Sequence, residues 1–228
     1  MLVHKPLRFR QIHLDFHTSP VIPGIGARFD RKHWQRTLRD ARVNSITLFA
    51  KCHHGWSYHP TAVGQVHPHL DFDLLKAQFE ACKEIGIQAP IYISAGLDNV
   101  MSHDHPEWRE VSANGQLGGW APRPVDAGFH MMDFHSPYLD YLCDQIAEVV
   151  TLFPEADGIF LDIIHQHESC GRWSLDYMQA HDLNPEVEAD RKESSRQALL
   201  KYYRRTTAAC LSGPNKEMPV FHNAGHIS

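Results

Sequence analysis

Five apolar segments that end in polar residues, most of them followed by a helical pattern, limit the fold of this 228-residue chain more than any other feature. Short apolar runs bounded by turn residues are typical of strands buried in a sheet. The predicted strands are Phe9–Asp15, Ser45–Lys51, Ile87–Ser94, Gly158–Asp162 and Pro219–Asn223. A chain that alternates strand and helix in this way forms a parallel sheet with helices packed on it.

Helical patterns fill most of the intervals between these strands, over residues 30–41, 71–85, 136–153 and 174–211. Asp30 is of a residue type preferred at an N-cap, and Gly86 suits the position just after a helix. Residues 96–134 are rich in His, Trp, Gly and Pro and have no clear period. Because loops of that length usually serve a function, we expect this one to form a wall over a pocket.

The spacing fits the (β/α)8 TIM barrel, an α/β fold that typically needs about 250 residues. Only the first five or so β/α units fit into this chain, because its loops are long. We therefore expect residues 1–228 to form a single, partial TIM-barrel domain. The chain is then a fragment of a barrel, an open sheet, or a sheet that another chain closes.

The composition is that of a globular domain and argues against several partners. Of the residues, 43% are hydrophobic and 21% are charged, and the net charge is -5. This charge favours neither nucleic acid nor an anionic membrane as a partner. No apolar run is long enough to span a bilayer, and Met1–Gln11 lacks the apolar core of a signal peptide. Five scattered cysteines indicate reduced thiols, so we expect a cytoplasmic protein.

Polar side chains collect at the carboxyl ends of all the predicted strands. They are His13, Asp15 and His17; His53, His54 and Trp56; Ser94, Asp98 and Asn99; Asp162, His165 and His167; and His222, Asn223 and His226. In α/β folds these ends meet on the face that carries the chemistry, so we predict one shared site. Asp162 could instead be a helix N-cap. His17 and His67 are expected to face solvent, and His165 or His167 could cap a loop.

The residue types on this face suit a sugar. The chain has 18 histidines, and a neutral imidazole both donates and accepts hydrogen bonds, as sugar hydroxyls require. Trp56 and Trp120 could cover the apolar face of a sugar ring. An accessible carboxylate such as Asp162 can attack an anomeric carbon. That reaction needs a second carboxyl group, which stands about 5–5.5 Å from the first in retaining glycosidases.

The segment Lys51-Cys52-His53-His54-Gly55-Trp56-Ser57 resembles a motif of retaining alpha-L-fucosidases and their hypothetical glycosyl hydrolase relatives. In that family a strand ends Lys-His-His-Asp-Gly-Phe, with Trp and Ser shortly after. The resemblance continues through the helix end Ala81–Ile87 and the strand Pro90–Ser94. It extends to the first strand, where the family has a fucose-binding histidine (His13 here), and to the fourth, where it has the nucleophilic aspartate (Asp162 here).

The resemblance implies a TIM-barrel glycosidase that removes a terminal sugar from an oligosaccharide or glycoside, with Asp162 as the nucleophile and no metal or cofactor. It also suggests a homo-oligomer. Together with the strand ends, it predicts these substrate-binding residues: His13, Asp15, His53, His54, Trp56, Trp120 and Asn223.

The sequence departs from the family pattern at three places, one of which is Phe160-Leu161, where the family has a tryptophan before the nucleophilic aspartate. His54 stands where the motif has its aspartate, and the predicted fifth strand carries no evident carboxylate. Glu168, shortly after Asp162, is therefore the candidate general acid. A solvated loop glutamate is the competing interpretation of Glu168.

Two other functions stay open on the sequence alone. The first is a zinc hydrolase of the amidohydrolase kind, whose candidate ligands are His13, His17, His53, His54, His165 and Asp162. Against it, His13 and His17 on one extended strand lie too far apart to bind the same ion. The second is a carbohydrate-binding domain without catalysis, which the missing acid favours.

Overall fold

The computed structural model describes residues 8–123, 127–164 and 166–223. Its helices are α1 (Arg31–Asp40), α2 (Leu74–Glu84), α3 (Asn99–Asp104), α4 (Tyr138–Leu152), α5 (Arg172–Ala180) and α6 (Glu188–Cys210). Its strands are β1 (Gln11–His13), β2 (Ser45–Lys51), β3 (Trp56–Ser57), β4 (Gln65–Val66), β5 (Ile91–Ser94), β6 (Gly119–Trp120), β7 (Phe129–His130), β8 (Ile159–Asp162) and β9 (Val220–Asn223).

The strands β1, β2, β5, β8 and β9 lie side by side in this order, and every neighbouring pair is parallel. The predicted mixed α/β fold with a parallel sheet is therefore confirmed. Each crossover moves the chain one strand further in the same direction, so the order never reverses. The register aligns Ser94 with Asp162 and Asp162 with Asn223, which brings the ends of three strands to one level.

The two faces of the sheet have different partners because side chains alternate along a strand. On one face, Leu48, Ile93 and Leu161 belong to a buried apolar cluster that also takes side chains from α1, α2, α4 and α6. On the other face, Phe49 stacks on Tyr92 at 4.0 Å between ring centroids, and Tyr92 stacks on Phe160 at 5.9 Å. The helices thus cover one face, and a row of aromatic rings lines the other below the strand ends.

Local capping explains where the first helices begin and end. As predicted, the carboxylate of Asp30 caps α1 by accepting from the backbone N–H of His33, and Gly86 follows α2 with a φ of +70°. Asp73 caps α2, so this helix begins later than the predicted Asp71. No helix in the described parts of the chain is long and apolar enough to cross a membrane. The five cysteines are free in the structure.

The long segment 96–134 has more order than its sequence predicted. It contains α3, a 3-10 turn at Pro106–Trp108 and the antiparallel hairpin of β6 and β7. These short elements are held by contacts distant in sequence, such as the bridge between Leu97 and Met131. A periodicity search has no signal for such elements, because none of them is long enough to have an amphipathic face.

A buried ion pair attaches this segment to the end of β2. Lys51 Nζ lies 2.7 Å from Asp98 Oδ2 and 3.0 Å from Tyr138 Oη, and both charged side chains are almost fully buried. Asp98 Oδ1 accepts from the backbone N–H of Met101 and so caps α3. A Cβ atom on Gly55 would lie 2.2 Å from that oxygen, so the glycine of the Lys51–Ser57 motif is required by the approach of Asp98.

Candidate active site

Asp162 ends β8 with its carboxylate facing the site and only 7% of the residue exposed. Tyr92 Oη donates to Oδ2 at 2.6 Å, and Asn223 Nδ2 donates to Oδ1 at 2.7 Å. One donor on each oxygen fixes the plane of the carboxylate. The alternative prediction, that Asp162 is a helix N-cap, is wrong, because the next helix begins at Arg172 with Gly171 as its N-cap.

His53 lies beside this carboxylate, with Nε2 at 3.6 Å from Asp162 Oδ2. Ser94 Oγ donates to the Leu97 carbonyl at 2.8 Å and lies 2.7 Å from His53 Nδ1. Because the serine proton is used by the carbonyl, Nδ1 carries the imidazole proton and Nε2 presents its lone pair. Burial, with smaller effects of His17 and Lys51, lowers the pKa of His53 to about 2. The ring is therefore neutral and can accept a hydrogen bond from a ligand hydroxyl.

His17 belongs to the same cluster, so the prediction that it faces solvent is wrong. Its ring stacks on His53 at 3.9 Å between centroids, and its Nδ1 accepts from the backbone N–H of His53. Burial lowers the pKa of His17. The prediction failed because β1 ends at His13, and the chain after it folds over the aromatic face of the sheet. His67 is also buried rather than exposed, and its Nε2 lies 3.1 Å from the Ser19 carbonyl.

His13 and Asp15 lie at the open side of the cluster. The ring of His13 packs at about 5.5 Å from the rings of Phe49, Tyr92 and Phe160. Its Nε2 lies 3.1 Å from Asp15 Oδ1, and the side chain of Asp15 is 76% exposed. Both residues thus sit above the strand ends, at the rim rather than against Asp162.

His54 points away from Asp162 and toward α3. Asn99 Nδ2 lies 3.4 Å from His54 Nδ1, and the same amide group donates to the Gly128 carbonyl at 2.8 Å. Asn99 Oδ1 accepts from the backbone N–H of His130, which fixes the amide orientation. His54 Nδ1 is therefore an acceptor, and Nε2 carries the proton. Burial lowers the pKa of His54 to about 4, so this ring is also neutral.

The β6–β7 hairpin contributes the aromatic wall. The ring of Phe129 lies 5.1 Å from the ring of His53 and 5.0 Å from that of His54. Trp120 contacts Phe129 with perpendicular rings at 5.4 Å between centroids, and it is 39% exposed. Trp120 therefore borders the site through Phe129. Ser94 was predicted from the sequence, whereas Phe129 and Tyr92 were not, although Tyr92 shares with Ser94 the face of β5 that points to the site.

Glu168 is engaged elsewhere, since its Oε2 lies 3.2 Å from Nε of Arg191 on α6. A different buried carboxylate, Glu110 in the segment 96–134, contacts the loop that follows β8 and was not predicted from the sequence. Glu110 is 2% exposed, and its oxygens meet the backbone N–H of His167 at 3.0 Å and His167 Nδ1 at 2.9 Å. Burial raises the pKa of Glu110, and its hydrogen bond raises the pKa of His167.

Several predicted members remain to be placed. Asn223 contacts Asp162 directly, as given above, whereas Trp56 is half-buried and lines a cavity on the far side of His54. His165 and His226 lie outside the described residues. Within residues 8–123, 127–164 and 166–223, no group of three or more His, Cys, Asp or Glu side chains could hold a metal ion. The site thus combines one oriented carboxylate with neutral imidazoles and an aromatic wall.

Residues 30–163 match the family described as hypothetical glycosyl hydrolase 6. The match includes His53, His54, Tyr92 and Asp162. The chain belongs to this glycosyl hydrolase family. The predicted resemblance to glycosyl hydrolases is thereby confirmed.

Solved structures extend this assignment. Alpha-L-fucosidase isoenzyme 2 from Paenibacillus thiaminolyticus is 43% identical, with a TM-score of 0.91 over 97% of this chain and 33% of that one. This member of the hypothetical glycosyl hydrolase 6 family therefore spans about a third of the length of that fucosidase. The PgaB glycoside hydrolase domain from Bordetella bronchiseptica shares the fold, with a TM-score of 0.62 and 13% identity over 93% of this chain and 64% of that one. No curated protein matches the sequence.

Proposed function

We propose that this chain carries the nucleophile-bearing part of a retaining alpha-L-fucosidase that acts on a terminal sugar. The observation that carries the proposal is the carboxylate of Asp162, oriented by Tyr92 and Asn223 and bordered by His53. The 43% identity to a fucosidase over nearly the whole chain supports the choice of sugar. The substrate is a glycoside or oligosaccharide, and residues 1–228 form a single, partial catalytic domain.

The fold we propose for the complete enzyme is a TIM barrel. Parallel strands that follow each other in chain order, with helices on one face, agree with a barrel that winds in one direction. A doubly wound sheet would instead reverse its strand order and carry helices on both faces. In a barrel, Asp162 lies at the carboxyl end of the fourth large strand, on the face that carries the chemistry.

In this proposal each residue has a defined role. Asp162 attacks the anomeric carbon, the bond to the leaving group breaks, and its electron pair leaves with that group. Tyr92 and Asn223 keep one carboxylate oxygen directed at the sugar. The lone pair on His53 Nε2 accepts a hydrogen bond from a sugar hydroxyl, and Phe129 packs against the apolar side of the ring. The general acid is a second carboxyl group, and Glu168 stays the prediction for it.

The test uses a substrate that needs no general acid. We expect 2-deoxy-2-fluoro-fucosyl fluoride to label the chain once, on Asp162, because fluoride leaves without protonation and the 2-fluoro group slows release of the sugar. Intact mass and peptide mapping identify the labelled residue. This design tests the nucleophile separately from the general acid.

Two variants serve as controls for the labelling. Asp162→Asn removes the nucleophile with little change in shape, so it should take up no label. Glu168→Gln should be labelled at the wild-type rate, since fluoride departure needs no acid. Label on any other residue, or equal labelling of Asp162→Asn, would contradict the proposal.

A further inference from the structure

A cavity of about 190 Å³ lies between α5, α6 and the segment that leads into α4. We call it the basic pocket. Its lining consists of His135, Tyr177, Gln197, Lys201, Arg204 and Arg205. The helices α4 and α6 cover the face of the sheet opposite the row of aromatic rings. The basic pocket therefore shares no residue with the Asp162 site and lies on another side of the molecule.

The charge of the basic pocket comes from one side of α6. Gln197, Lys201 and Arg205 follow each other at intervals of four residues, and Arg204 lies three residues after Lys201, so their side chains are neighbours on the helix. Three of these four side chains are cationic. Among the described residues that line the pocket there is no carboxylate. Because the whole chain has a net charge of -5, this local excess of positive charge does not follow from the composition.

Neighbouring acids neutralise only part of this charge. Arg205 forms an ion pair with Asp140 on α4, whereas Lys201 Nζ donates to a neutral acceptor, the His135 carbonyl, at 3.3 Å. Within the described parts of the chain, neither Lys201 nor Arg204 forms an ion pair with a carboxylate. Burial, followed by repulsion from Arg205, lowers the pKa of Lys201. An anion held between the two cations would remove this repulsion.

The aromatic wall of the basic pocket is held in place independently of any ligand. The rings of His135 and Tyr177 stack at 4.1 Å between centroids, and His135 Nε2 donates to the Ser194 carbonyl at 3.0 Å. Glu193, the acid one turn before Gln197 on α6, already pairs with Arg196 and accepts from Gln197 Nε2 at 2.8 Å. The charge of Glu193 is thus compensated, and it does not oppose an anion in the pocket.

We propose that the basic pocket binds a tetrahedral dianion, the phosphate or sulfate group of a ligand. A guanidinium group can donate to two oxygens of such a group at once, and an ammonium group adds a compact charge. The volume lies below the range of about 300–1,000 Å³ that is typical of pockets for whole small molecules, so the pocket encloses the charged group alone. The inference does not depend on the proposed function, because it uses no residue of the Asp162 site.

Calorimetric titration of the full chain tests this inference. Sodium phosphate and sodium sulfate are the separate probes, and sodium chloride keeps the ionic strength constant. We expect at least one of the two to bind saturably, with one dianion per chain. Arg204→Met and Lys201→Met should each weaken this binding about tenfold, since a hydrogen bond between charged groups contributes about that factor. Arg204 is exposed, so its substitution leaves the fold intact even if that of the half-buried Lys201 does not.

The control variant is Lys192→Met, which removes a cation from the same helix but outside the basic pocket. It should bind both probes as the wild type does. Binding of phosphate alone would indicate a phosphorylated ligand and binding of sulfate alone a sulfated one, and either result supports the inference. The inference is overturned if neither dianion binds or if binding survives both pocket substitutions. It is also overturned if Lys192→Met weakens binding as much as Arg204→Met, because the anion would then respond only to the overall charge.

Discussion

Tyr92 is the residue on which the orientation of the carboxylate depends most directly. Burial, followed by the charge of Asp162, raises the pKa of Tyr92, so the phenol keeps its proton and donates to Asp162 Oδ2. The ring is held between Phe49 and Phe160. The Tyr92 hydroxyl keeps its proton and its position, so it does not have to reorient when the charge on the carboxylate changes during the reaction. A donor fixed in this way is electrostatically preorganised.

Tyr92→Phe should therefore slow the labelling of Asp162 while the chain stays folded. A hydrogen bond to a charged group contributes about 1.5–3 kcal/mol, so we expect the second-order rate constant for labelling to fall about 10- to 100-fold. The measurement is labelling by the fluoro sugar, followed by intact mass. Tyr203→Phe, which removes the hydroxyl of a partly exposed tyrosine, should leave the rate unchanged. An unchanged rate in Tyr92→Phe would exclude a role for its hydroxyl in this step.

At the scale of elements, the Lys51–Asp98 pair joins the end of β2 to the start of α3. The joined segments also meet through the backbone, because the N–H groups of Asn99 and Val100 donate to the carbonyls of His53 and His54. The pair therefore determines where the two histidines lie relative to the hairpin that covers them. Removing one partner of such a pair strongly destabilises the fold, because it leaves the other charge buried without a counter-charge.

Lys51→Met should destabilise the fold by about 3–5 kcal/mol, which urea unfolding monitored by circular dichroism would measure. Asp98 is fully buried, and in this variant its carboxylate loses the ammonium group 2.7 Å away. The double variant Lys51→Met/Asp98→Asn removes the charge as well. We expect it to cost less than the sum of the two single substitutions. Additive effects would show that the two charges do not interact.

At the scale of the whole molecule, the sequence predicted the sheet better than the site. The strand ends were predictable because buried strands such as Ile159–Asp162 are apolar runs with sharp polar ends. The positions of His17 and Phe129 were not, because both depend on loops that fold back over the sheet. The ion pair between Glu168 and Arg191 was not predictable either, because Arg191 lies on a helix more than twenty residues away in sequence. Contacts of this kind have no local pattern.

The same burial that builds the site makes stability depend on pH. Burial lowers the pKa of His17, His53, His54 and His59, so these rings are neutral in the folded chain. In the unfolded chain each would take up a proton near pH 6.5. Below that pH the unfolded state binds more protons than the folded state, so acid favours unfolding. The stabilisation is complete above pH 6.5 and is lost as the pH falls toward the lowered pKa values.

His53 gives a direct test of this effect, because burial lowers its pKa to about 2, so that the ring stays neutral throughout the range from pH 7 to pH 5. Each pH unit between 6.5 and that value costs about 1.4 kcal/mol, so His53 alone should remove about 2 kcal/mol of the free energy of unfolding between pH 7 and pH 5. His53→Gln, which stays neutral, should show a loss smaller by that amount in urea unfolding at the two pH values. His33→Gln, at an exposed position on α1, should lose as much as the wild type. If the free energy of unfolding of His53→Gln fell by as much as that of the wild type, His53 would not be a buried, neutral ring. Its proposed role as an acceptor for a sugar hydroxyl would then be contradicted as well.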